Sequence, residues 1–177
     1  RLSLVGSEMC IRDSIKTDQS DGITDPAYLK KLEDFSNYLE EQYTFINVTT
    51  VSNVIKTLNK NMNGGQEKYY SVPDNKALIA QYLLLYEFSV PFGMDLKNQM
   101  TADKSDSRLL VRINYATASE VVKINDEIIK WINSNMGPYK TDGLAGIPVM
   151  FSYLNQQNSM GLMTGLVFSF TFIAVSY

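Results

Sequence analysis

Apolar residues recur at helical spacing in four separate stretches of the chain, and two short alternating runs lie among them. Tyr28, Leu29, Leu32, Phe35 and Leu39 predict a helix over 26–41, opened by Thr24-Asp25 as cap and Pro26 at the first helical position. Residues 43–50, rich in β-branched and aromatic side chains, predict a short strand. Val54, Ile55, Leu58 and Met62 predict a helix over 51–62, stopped by Asn63-Gly64-Gly65 because glycine accepts the left-handed conformation at a helix end. A loop at 66–74 leads to Asp74, a cap for a third helix over 75–88, whose centre AQYLLLYEF is apolar on nearly every face. Residues 89–106 show no period and read as loop. RLLVRINY predicts a strand over 108–115 with Leu109, Val111 and Ile113 on one face. Ser119 can cap a helix running to Asn135, ended by Gly137-Pro138, and 139–145 is a last strand before Gly146-Ile147-Pro148 opens another helix.

The far end changes the picture. Residues 143–177 hold no Asp, Glu, Lys or Arg, and residues 159–177 form an uncharged run of nineteen, close to the roughly 20 that cross a hydrocarbon core about 30 Å thick. A membrane helix is expected there, and because no basic anchor follows, the chain is expected to be a piece of a larger membrane protein. The opening RLSLVGSEMCIRDS lacks the long apolar stretch of a signal peptide and resembles translated sequencing-adapter sequence. Residues 1–14 are therefore set aside from the fold reading. Ser14 to Thr17, SIKT, then remains as the tail of a truncated first strand. The domains expected are 15–145, carrying a helical insertion over about 51–106, and 146–177 as lead-in and membrane helix.

Composition narrows the chemistry. The chain has no histidine, and its one cysteine, Cys10, lies in the stretch set aside. That removes Ser-His-Asp and thiol catalysis and zinc sites of the Cys/His kind, so no enzyme, cofactor or metal is expected. A formal net charge of −3 with scattered lysines argues against nucleic-acid binding. Asp95, Asp103 and Asp106 are interleaved with Lys97, Lys104 and Arg108 and read as a solvated loop. The Gly64-Gly65 run lacks the spacing of a phosphate loop, and Gly161 and Gly165 form a GxxxG suited to close helix packing in a membrane.

With a first strand ahead of Asp25, the order of elements is a ferredoxin-like split βαββαβ with a helical insertion, followed by a transmembrane helix. The run VSNVIKTLNKNMNGGQEKYYSVPDNKALIAQYLLLYE, with SRLLVRINYA and TDGLAGIPVMFSYLNQQ after it, resembles the extracytoplasmic loop of MMPL-type, Patched-like exporters of the resistance-nodulation-division (RND) superfamily. The resemblance spans residues 25–175. It implies a proton-driven exporter of hydrophobic or lipid-like compounds in a bacterial inner membrane, with 15–145 on the periplasmic side. The partners it implies are the remaining membrane helices and a second porter domain of the parent chain, with membrane lipid around them. The proton-relay carboxylates of that family lie in helices outside this sequence, so none is carried over.

Within such a porter domain, Tyr82, Leu85, Tyr86 and Phe88, with Phe92 and Met94 of the following loop, are candidate substrate contacts, since aromatic and Met side chains suit varied lipidic ligands. The alternative is that these residues fill the domain core. Two other functional readings stay open: a superfamily relative acting in protein export or sterol-type sensing, and a single-span membrane-anchored binding or scaffold module. The truncated first strand and the bare membrane helix predict that the chain does not fold stably alone.

Overall fold

Local chemistry sets the ends of the helices. Asp25 accepts the Ala27 amide at 2.9 Å and Pro26 occupies the first turn of α1 (Pro26–Gln42). Thr50 and Asn53 form a reciprocal capping box that opens α2 (Val51–Met62). Gly64 and Gly65 follow it at φ of 72° and 74°, the left-handed geometry that ends a helix without strain. The third helix, α3 (Lys76–Ser89), is capped by Asn75 rather than Asp74, because the Asn75 side chain reaches the amides of Ala77 and Leu78. Likewise α4 (Ala118–Asn135) starts two residues earlier than a Ser119 cap would place it, since Thr117 and Glu120 complete a capping box. The computed structural model describes residues 9–90, 99–114, 116–141, 143 and 145–176.

Four strands, β1 (Met9–Lys16), β2 (Ile46–Thr49), β3 (Asp106–Ile113) and β4 (Lys140–Thr141), pair antiparallel in the order β2-β3-β1-β4. The register sets Ile11 opposite Val111, Ile15 opposite Ser107, and Val48 opposite Val111 on the other side of β3. Alternate residues of the two central strands therefore face one way: Ile11, Asp13 and Ile15 are buried with Ser107, Leu109, Val111 and Ile113. α1 and α4 cover that face together. Phe35 meets Trp131 at 5.0 Å between ring centroids and Tyr38 stacks on the same indole at 5.7 Å. Lys31 crosses from α1 to the Met136 carbonyl at 3.1 Å, beyond the end of α4.

The first strand is not truncated. Eight residues, Met9–Lys16, run through the sheet interior between β3 and β4, so most of β1 lies in the stretch that the sequence reading set aside. Its polar inward residue does not break the pattern, because Asp13 accepts hydrogen bonds from the Ser14 amide and the Thr141 hydroxyl. Ile11 and Ile15, fully buried on either side of it, anchor the strand in the core. An open inner strand, one of the two grounds for expecting an unstable fold, is thereby absent, while the other, the bare apolar helix, stands.

β2 and β4 are shorter than expected, whereas β3 keeps eight residues and begins two earlier, at Asp106. Tyr43 to Phe45 form a turn rather than strand, with Ile46 N–H donating to the Tyr43 carbonyl. Beyond the two residues of β4, the chain touches β1 once more through paired hydrogen bonds between Arg12 and Ala145. It then enters α5 (Ile147–Ser176), a single unbroken helix of 30 residues. Val149 and Ser152 are buried against the domain, and from Leu154 onward the helix is exposed.

Candidate functional site

α3 packs on α2 and on the short turn Gly22–Thr24 through one side only. Ile79 and Leu83 are fully buried, and Tyr82 is 8% exposed. The Tyr82 hydroxyl donates to Asn59 Oδ1 at 3.2 Å, while Asn59 Nδ2 donates to the carbonyls of Tyr69 and Ser71 at 2.9 and 3.0 Å. One carboxamide on α2 thus holds both α3 and the loop between the two helices. Tyr86 packs half-buried against the core. Leu85 and Phe88 turn outward with Leu84; Phe88 is 82% exposed. The candidate contacts therefore divide between two sides of α3, Tyr82 and Tyr86 inward, Leu85 and Phe88 outward. Phe92 and Met94 lie outside the described residues, as does Asp95.

A second feature leaves little trace in the sequence. Where the first turns of α5 lie along α4, a cleft of about 550 Å³ opens among Ala116, Val121, Phe151, Leu154, Asn155 and Asn158. A smaller depression of about 240 Å³ continues it past Ala118 and Ser119 to Met160 and Met163. The two helices run antiparallel here, since Tyr153 lies beside Asn125 while Met160 lies beside the start of α4. Tyr153 Oη accepts from Asn125 Nδ2 at 2.7 Å and donates to Asp126 at 3.4 Å, fixing the angle at which α5 leaves the domain. Ala116 and Ala118, just before and at the start of α4, line the cleft with small side chains. In sequence these residues carried only a weak signal, an uncharged NQQNS stretch ahead of the apolar run and two alanines near a helix start.

The lining is amphiphilic. Phe151, Leu154, Met160 and Met163 offer apolar surface, while Asn155, Gln156, Asn158 and Ser159 offer uncharged donors and acceptors. Among the described residues that line the cleft, none carries a charge. Two acidic groups elsewhere serve a turn and a cap: hydrogen bonds from Thr101 and then Ser105 hold the exposed Asp103 carboxyl below its ordinary range, and Thr117 does the same for Glu120. Among the described residues no group of three His, Cys, Asp or Glu is placed to hold a metal ion.

Ile147–Ser176 is the one helix among the described residues that is long and apolar enough to cross a membrane. Together these features define an α+β domain with a four-stranded antiparallel sheet, continued by a helix of membrane-spanning length with an uncharged cleft at its root. No protein-family model, curated protein or solved structure matches the chain.

Proposed function

We propose that the chain is a porter-type domain with its following membrane helix, part of a proton-driven RND/MMPL-type exporter of hydrophobic or lipid-like compounds. The strand order supports the reading, because β1 lies inside the sheet as a split ferredoxin-like βαββαβ arrangement requires, with α2 and α3 as the insertion. The observation that carries it is the uncharged cleft at the root of α5. At the boundary between water and hydrocarbon, an amphiphile could lay its apolar part on Phe151, Leu154 and Met160 and its polar part against Asn155 and Asn158. In this reading the domain stands on the periplasmic side of a bacterial inner membrane, beside a second porter domain and further spans, and performs no catalysis. Leu85 and Phe88 then line the route away from the bilayer.

A single-span lipid-binding module is the second reading, since the same cleft at the root of a membrane-length helix would serve it. Both readings need the cleft to hold an amphiphile. The test reconstitutes the full chain in nanodiscs with a diazirine-bearing phosphatidylethanolamine and maps the photo-adducts by mass spectrometry. Labelling at Phe151, Leu154 or Met160 that falls at least fivefold in Ala118→Trp, with labelling of 166–175 unchanged, is the expected result. Labelling confined to 166–175 in both proteins overturns it. The genomic locus separates the two readings: a frame continuing into further spans with mid-membrane carboxylates supports the exporter.

A further inference from the structure

We draw no further inference here: the strongest candidate, the exposed apolar face of α3 formed by Leu84, Leu85 and Phe88, belongs to the surface already described, and nothing in the structure shows what covers it.

Discussion

Asn59 is 7% exposed, and its side chain makes bonds that no apolar residue could replace. Truncating it leaves two loop carbonyls and the Tyr82 hydroxyl without their partner in a half-buried setting. Asn59→Ala is therefore expected to cost about 2–3 kcal/mol, and Tyr82→Phe about 1 kcal/mol. Denaturant unfolding of the full chain in micelles, followed by the single tryptophan, Trp131, measures both. A Tyr82→Phe protein of unchanged stability but weaker lipid labelling would instead place Tyr82 in a ligand path. Tyr28 makes a pH-dependent contribution. Its hydroxyl is buried against Ser107 at 2.6 Å, and burial pushes its pKa up, the Ser107 bond only partly opposing the shift. The unfolded chain releases this proton near pH ~10, whereas the folded chain keeps it to higher pH. Stability is thus complete below about pH 10 and falls above it by ~1.4 kcal/mol per pH unit from this group. Tyr28→Phe should lose that part of the alkaline slope, and an identical slope in the two proteins would show that the hydroxyl is not buried.

Helices α1, α2 and α4 were legible because their apolar stripes and polar faces alternate, so type and buried face follow from one pattern. In α3 the pattern is apolar on most sides, which predicts a helix but leaves its orientation undetermined. Packing against α2 settles it, burying Ile79 and Leu83 and leaving Leu84, Leu85 and Phe88 outside. Ile79→Ala is accordingly expected to cost 2–5 kcal/mol and Phe88→Ser less than about 0.5 kcal/mol. Comparable losses in the same unfolding assay would mean that the outward face is covered after all. Strand ends were less legible, since their length depends on which neighbours pair. β2 stops at four residues, and Glu40 from α1 takes the Val48 amide on its outer edge at 2.9 Å, a bond that blunts an edge otherwise open to another strand. The cleft was illegible for a related reason. It exists only because Ala118 and Asn155, far apart in sequence, meet across two antiparallel helices.

At the scale of the whole molecule, one helix has two parts, a root packed on the domain and an exposed apolar remainder. α5 spans about 45 Å at 1.5 Å per residue, and residues 159–176 alone cover about 27 Å, nearly the thickness of a hydrocarbon core. Its first turns are held by Val149, Ser152 and the Tyr153 bonds to α4, so the domain and the apolar segment meet without a flexible joint. The hydroxyls in the exposed part do not oppose insertion: Thr164 donates to the Met160 carbonyl at 2.8 Å and Ser169 to Gly165 at 2.9 Å, satisfying themselves within the helix. The geometry sets the cleft at the water boundary only if 159–176 is immersed, which makes insertion the premise on which the functional reading stands. Leu166 lies near the middle of that segment and is 55% exposed, so insertion of the segment would set it against lipid. Leu166→Arg should raise the apparent insertion free energy by about 2.5–3.5 kcal/mol, turning a mostly inserted segment into a mostly rejected one. An insertion assay with engineered glycosylation acceptors on either side of the segment reads this directly. Equal insertion of the two proteins, or none for either, would remove α5 from the membrane and leave the cleft as an ordinary surface groove.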